Sequence, residues 1–409
     1  MSRVVVTGIG AVTPIGNSAV DFWDGLKNGK NGIDKITKFD TEGFKAHVAA
    51  EVKDFDPHLI FEKAFISKTD LYTQYALYSA EEAVKDSGIL GNIDEDEFGV
   101  YYGSGVGGIN TLCEEHEHLL NKGPRRVNPQ FVAKMIINIA AGQIAIRYNA
   151  HGSAMSMSTA CATGTTTIGE AYRAIKDGYL KAAICGGSEA AITPVTVAGF
   201  SNCMALTTSE DKDAASLPFD KRRGGFVIGE GAATLILEDY DNAVKRGAHI
   251  YAEVVGYGAT CDAHHITAPN PEAEYVAKAI EMALKGLDVK AEELYINAHG
   301  TGTALNDATE TTAFKKVYKE DAYKLAISST KSMTGHMLGA AGAAEAIACI
   351  KALEEGVIPP TINLNEPDEA LDLNYTPNKA EKRDVKYAIS TSLGFGGHNS
   401  CIAFKKFED

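Results

Sequence analysis

Cys161, His299 and His336 each stand in a setting where a side chain does chemistry more readily than it fills space. Cys161 lies in the small-residue run Ser156-Met157-Ser158-Thr159-Ala160-Cys161-Ala162-Thr163-Gly164. Gly152 to Thr159 reads as a short buried strand. Gly164 to Lys176 has helical spacing, with Ile168, Ala171 and Ile175 on one stripe. The cysteine is therefore expected where a strand turns into a helix. There, unpaired backbone N–H groups and the positive end of the helix dipole favour the thiolate. Its small neighbours leave room for an acyl group. An isolated cysteine is more often inert packing; two histidine loops downstream change that expectation.

The first loop is Asn297-Ala298-His299-Gly300-Thr301-Gly302-Thr303, after the strand Leu294 to Ile296. A histidine flanked by glycine at a strand end suits a cleft better than a core, and Thr301 and Thr303 add hydroxyls. The second is Ser328-Ser329-Thr330-Lys331-Ser332-Met333-Thr334-Gly335-His336, opening the apolar helix Met337 to Leu353. A helix N-terminus disfavours the imidazolium and keeps the ring neutral. A neutral imidazole N–H is a good donor to a developing oxyanion, although a capping histidine without a catalytic part fits the same place. Glu345, inside that apolar helix, is too costly to bury alone. Lys331 or ordered loop amides are its candidate partners, as a structural ion pair or as solvated ends. Finally, Gly394-Phe395-Gly396-Gly397 mounts one bulky ring on a mobile turn, which suits a gate or an ordinary hairpin with a core plug.

A cysteine, two loop histidines, a lysine and a glutamate admit several hydrolase or transferase chemistries. A thiol protease needs one histidine with an Asn or Asp orienter and leaves the second loop unused. A metal site lacks an H-x-x-x-H pair. Two neutral imidazole N–H groups converging on one oxygen fit the stabilisation of an enolate beside a thioester.

The elements that must position these residues follow an α/β pattern of short apolar strands alternating with helices. Val4 to Gly8 is the first strand, and Ser18 with Asp21 caps a helix through Leu26. Residues 30 to 60 show no period. Lys68 to Asp86 and Pro129 to Tyr148 read as helices, and Phe98 to Tyr102 and Ala182 to Cys185 as strands. The glycine run Gly103 to Gly108 lacks the Lys-Ser/Thr ending of a phosphate loop. Two internal echoes suggest related halves meeting near residue 250, with Arg246-Gly247-Ala248 at the crossover. Val5 to Ala11 resembles Val254 to Ala259, and Met157 to Cys161 resembles Ala388 to Ser392.

Bulk properties exclude whole classes. A net charge of −15 argues against a nucleic-acid binder. Seven scattered cysteines without a C-x-x-C pair fit neither a disulfide framework nor zinc, and point to a reducing compartment. The N-terminus runs straight into a strand, leaving no room for a signal peptide. The Ala-rich run from Leu338 to Leu353 carries Glu345 and Lys351 and falls short of about 18 uninterrupted apolar residues, so it is read as a buried helix. A cytoplasmic protein with no nucleic-acid and no membrane partner is expected.

With these motifs in order, the chain resembles the β-ketoacyl-acyl-carrier-protein synthase family, the elongating condensing enzymes, and among them most closely the synthase II members. The motifs span nearly the whole chain: Val5 to Pro14, Ser158 to Cys161, Pro218 to Asp220, Gly225 to Gly231, His299 to Thr303, Asn306-Asp307, Lys331 to His336 and Gly394 to Gly397. The resemblance implies a thiolase-like α/β fold of two related βαβαβαββ halves in five αβαβα layers, 1–250 carrying the nucleophile and 251–409 both histidines. It implies a homodimer, acyl-carrier protein as partner in its acyl and malonyl forms, and no cofactor or metal beyond the phosphopantetheine that substrates bring.

By the same resemblance Cys161 holds the acyl chain, His299 and His336 stabilise the enolate, and the N–H groups of Cys161 and Phe395 form the oxyanion hole. Lys331 and Glu345 lend electrostatic support. Thr301, Thr303 and Thr267 hold the pantetheine arm, Phe395 is the gate, and Val106, Phe131, Phe200 and Phe226 line the acyl pocket. Where family members often carry Arg, this chain has Ser209-Glu210 and Lys68-Thr69-Asp70-Leu71. Lys63, Lys68, Arg125 and Arg126 are therefore the residues expected to attract the carrier protein. The rival expectations are a polyketide ketosynthase, a silent chain-length-factor-like partner, which usually lacks the cysteine, and a thiolase. A thiolase would want a second catalytic cysteine, and Cys401 reads as a strand residue.

Overall fold

The computed structural model describes residues 2–408. The first half of the chain runs β1 (Val4–Val12), α1 (Ala19–Lys27), α2 (Leu71–Ser87), β2 (Phe98–Gly103), β3 (Ala154–Met155), α3 (Thr163–Lys176), β4 (Ala182–Glu189) and β5 (Gly231–Asp239). The second half repeats the pattern: β6 (Ala252–Cys261), α4 (Glu274–Ala283), β7 (Leu294–Asn297), α5 (Ala304–Tyr318), β8 (Ala326–Ser328), α6 (Ala341–Glu355), β9 (Tyr387–Gly394) and β10 (His398–Lys406). These ten strands lie in the order β8-β7-β9-β10-β6-β1-β5-β4-β2-β3. In each half the opening strand pairs antiparallel with the last. That last strand pairs antiparallel with the one before it, and two parallel neighbours complete the half. Within the sheet the halves pair where Val4, Val5 and Val6 face Val254, Glu253 and Ala252.

α3 and α6 pack on each other and on strands of both halves, while α2 covers the outside of the first half and α4 that of the second. Five αβαβα layers result. The central strands are buried on both faces, which is why they read as unbroken apolar runs rather than alternating ones. The first echo has a packing cause. A Cβ on Gly8 or Gly10 would collide with the carbonyl oxygens of Ala83 and Ser79 in α2, and one on Gly256 or Gly258 with those of Ala283 and Ala279 in α4. Each outer helix thus lies directly on a glycine-bearing strand. The second echo does not correspond in the fold: Ala388 to Ser392 belongs to β9, whose counterpart is β4, whereas Met157 to Cys161 follows β3.

Three element boundaries differ from expectation, each for a tertiary reason. The strand before Cys161 is only Ala154–Met155 and is exposed, because it is the sheet's edge and pairs only with Val100 and Tyr101. The helix expected from Lys68 begins at Leu71. Asp70 caps it, receiving the Tyr72 N–H on one oxygen and both the N–H and hydroxyl of Thr111 on the other. The helix expected over Pro129–Tyr148 is two, Phe131–Met135 and Ile139–Tyr148. Extended backbone at Ile136 divides them, and its carbonyl accepts the Tyr72 hydroxyl at 2.7 Å.

Candidate active site

Cys161 occupies a 3₁₀ turn, Ala160–Ala162, immediately before α3. Ala160 takes a left-handed φ of 50°, and Thr163 braces the bend, its hydroxyl accepting from Thr159 N–H at 2.9 Å and donating to Ala160 O at 2.7 Å. The end of β9 abuts this turn. A Cβ on Gly394 would lie 3.3 Å from the Cys161 nitrogen, so glycine lets the Phe395 N–H approach. The N–H groups of Phe395 and of Cys161 itself both favour the thiolate, as does Lys331, yet burial outweighs them and pushes the thiol up to about 12. The helix mouth alone therefore does not outweigh burial, contrary to expectation; Cys161 shares a buried apolar cluster with Ala191, Ile192, Leu206, Phe226 and Leu338, and that burial raises the thiol.

His299 and His336 face each other edge to face with ring centroids 5.1 Å apart. Both are buried and both are held neutral, their pKa values well below the ordinary histidine range, first by burial and next by Lys331. The helix expected to begin beside His336 starts only at Ala341, so burial rather than the dipole neutralises the ring. Leu338 N–H donates to His336 Nδ1 at 3.3 Å, which leaves the ring proton on Nε2. The backbone of His336 is pinned by an exchange with the Gly225–Gly231 motif: its N–H donates to Val227 O at 2.7 Å and its carbonyl accepts from Gly229 N–H at 2.8 Å.

These residues converge. Cys161, His299, His336, Phe395, Thr301, Thr303, Thr267, Phe200 and Phe226 line a single cavity. Thr301 and Thr303 hydroxyls bond each other at 3.0 Å, and Thr267 stands exposed at the rim. Phe200 meets Phe226 edge to face at 5.5 Å and Phe395 at 6.2 Å, so an aromatic wall runs from the Phe395 turn to His336. Beneath the cavity Lys331 and Glu345 form a fully buried ion pair. Burial raises the Glu345 carboxyl and Lys331 opposes it.

Two expected pocket residues lie elsewhere. Val106 turns its N–H inward to Glu189 and its side chain outward, 39% exposed. Phe131 sits on the separate five-residue helix. Neither lines the Cys161 cavity in the single chain. Lys63, Lys68, Arg125 and Arg126 are exposed and, among the described residues, have no carboxylate partner, while Glu210 stands 3.9 Å from His47.

Sequence reasoning missed two buried carboxylates. Glu310 on α5 accepts the N–H groups of His299 at 2.7 Å and Gly300 at 2.6 Å, and the Thr391 hydroxyl at 2.9 Å. Burial pushes it up to about 7. Glu189 binds the Gly103–Gly108 run. The available signal was a carboxylate in an otherwise apolar strand, or one turn beyond Asp307 on the helix that follows the histidine loop. Among the described residues no cluster of three or more His, Cys, Asp or Glu could hold a metal ion, and no helix is long and apolar enough to cross a membrane.

The protonation pattern has a measurable outcome. Because the Cys161 thiol lies far above neutrality, its thiolate fraction, and with it acyl transfer, should rise about tenfold per pH unit between about pH 6 and pH 9. Both imidazoles remain neutral over that interval, so a step needing only their N–H groups should stay flat. Stopped-flow acylation and CO₂ release, measured separately, check the contrast; parallel profiles would contradict it.

Residues 1–243 match the family described as Beta-ketoacyl synthase, N-terminal domain, and residues 251–365 match its C-terminal domain. The chain is 48% identical over 409 residues to a protein named 3-oxoacyl-[acyl-carrier-protein] synthase 2 in Synechocystis sp., covering 99% of this chain and 98% of that one. The protein of the same name in Coxiella burnetii is 45% identical over 410 residues, covering 100% and 99%. Among solved structures, a type II polyketide synthase ketosynthase in complex with its acyl-carrier protein superposes with a TM-score of 0.91 at 36% identity, and a β-ketoacyl synthase from Burkholderia phymatum with 0.92 at 33%, each covering 100% of both chains.

Proposed function

The chain belongs to the β-ketoacyl synthase family, and from that premise we propose how its residues carry out the family's condensation. It is a 3-oxoacyl-acyl-carrier-protein synthase of fatty acid biosynthesis, an acyltransferase that lengthens an acyl chain by two carbons. The Cys161 thiol gives up its proton to solvent, the thiolate attacks the carbonyl of an acyl-carrier thioester, and the carrier thiolate departs and is protonated from solvent, leaving the acyl chain on sulfur. Malonyl-carrier protein then enters. Its C–C bond to the carboxylate breaks, CO₂ leaves, and the electron pair passes to an enolate whose oxygen accepts the Nε2–H groups of His299 and His336. That carbanion attacks the acyl-Cys161 carbonyl, the oxyanion gathers on the N–H groups of Cys161 and Phe395, and the thiolate is expelled. Lys331, paired with Glu345, adds to the burial that keeps both imidazoles neutral and supports the thiolate.

The observation that carries this assignment is two neutral imidazoles in one cavity with a cysteine whose sulfur meets two backbone donors. Thr301, Thr303 and Thr267 hold the pantetheine arm, and Phe395 gates the entrance. Phe200 and Phe226 begin an apolar acyl channel worth about 0.8 kcal/mol per buried CH₂. Residues 1–250 and 251–409 form the two ketosynthase halves. None of these steps calls on a metal or resident cofactor, and the substrates bring their own pantetheine.

The protein acts as a homodimer in the cytoplasm. Support for the dimer comes from β3, an edge strand with Met155 47% exposed.

Incubating the protein with malonyl-carrier protein and a ladder of acyl-carrier proteins, read by mass, tests the function. Growth by two carbons is expected; a ladder accepted only as polyketide starters would favour the polyketide ketosynthase, toward which the solved relatives lean. Changing Arg125 and Arg126 together to Glu is expected to raise KM for the carrier protein about tenfold at low salt and less at high salt. An unchanged KM at low salt would remove the docking role.

A further inference from the structure

Glu189 ends β4 with no exposed surface, and none of the steps above uses it. Its carboxylate accepts four hydrogen bonds. Oε1 receives the Ser104 hydroxyl at 2.8 Å and the Val106 N–H at 3.1 Å; Oε2 receives the Gly105 N–H at 2.8 Å and the Gly339 N–H at 3.0 Å. Ser104 Oγ meanwhile accepts from Gly107 N–H at 2.9 Å, so its own proton is committed to Glu189. Burial raises the Glu189 carboxyl, and the four donors oppose that and favour the carboxylate. The glycine run that lacks a phosphate-loop ending thus cradles an anion after all, one that belongs to the chain.

Three of the four donors come from the first half and the fourth from the second. Gly339 follows Leu338, which takes a left-handed φ of 47°, an outlying conformation for so bulky a residue. That bend is what turns the Leu338 N–H onto His336 Nδ1. We propose that Glu189 is a positioning residue for His336: by anchoring Gly339 it holds the strained Leu338 turn, and so keeps the imidazole proton on Nε2, the nitrogen left for the cavity. This deepens the assignment above and rests on His336 donating to the thioester oxygen.

Glu189→Gln keeps the size of the side chain, removes its charge and turns an amide N–H₂ toward groups that only donate. Spectra of protein carrying nitrogen-labelled histidine, recorded without substrate, read the tautomer of each ring. His336 should be pure Nε2–H in the parent and a mixture in Glu189→Gln. The kcat for malonyl decarboxylation should fall about tenfold or more, with KM for malonyl-carrier protein within about twofold. An unchanged tautomer, or a loss confined to KM, overturns the proposal. If Glu189→Gln does not fold, Glu189→Asp keeps the charge but shortens the reach to the Gly339 N–H and should mix the tautomers likewise; a pure Nε2–H ring there overturns it as well. A parent protein that shows the tautomer change on substitution but releases no CO₂ from malonyl-carrier protein would instead refute the assigned reaction.

Discussion

Cys161→Ala is expected to end acylation of the protein and to lower condensation on the order of 10⁴–10⁶-fold, the scale of losing a covalent nucleophile. Decarboxylation of malonyl-carrier protein should survive within about tenfold, because His299 and His336 remain neutral donors and neither depends on the sulfur. Intact-protein mass after exposure to acyl-carrier protein, alongside CO₂ release, separates the two half-reactions. Condensation retained at the parent rate would remove Cys161 as the acyl carrier, and CO₂ release lost with acylation would mean the histidines do not act alone.

The second large effect concerns the pair under the cavity. Glu345→Ala leaves the Lys331 ammonium buried without a counter-ion and should destabilise the fold by about 3–5 kcal/mol. Joint replacement, Lys331→Met with Glu345→Leu, should regain most of that stability, since an apolar pair of similar size removes both desolvation penalties. Activity should not return, because the charge that opposes burial at Cys161 and helps keep both imidazoles neutral is gone. Chemical denaturation and acylation rates on the three proteins give the comparison. A double variant both stable and fully active would reduce the pair to a packing feature.

Much of the site was legible because its chemistry sits on glycine-flanked loops. His299 stands before a glycine at a strand end and Phe395 between two glycines, and Ser18, the glycines of β1 and the αβ alternation mark local structure plainly. What resisted reading depends on neighbours distant in sequence. Whether Cys161 is charged is decided by how deeply Phe226, Leu206 and Leu338 enclose it, and those come from three separate segments. The break at Ile136 exists because Tyr72, on another helix, supplies a hydroxyl for its carbonyl. Val106 points outward because its N–H answers Glu189, a strand residue far along the chain. Glu189 and Glu310 themselves look like stray acids until folding surrounds each with donors.

The meagre seam between β1 and β6 bears on how the protein is made. On the ribosome, the first 250 residues emerge with α3 lying on one half-sheet and its other flank awaiting α6 and β10. At synthesis rates of about 5–20 residues per second, the rest of the polypeptide follows on the order of 10–30 s later. Throughout that interval the nascent chain carries an oily surface meant for its own unfinished remainder, a natural place for a holding chaperone to engage.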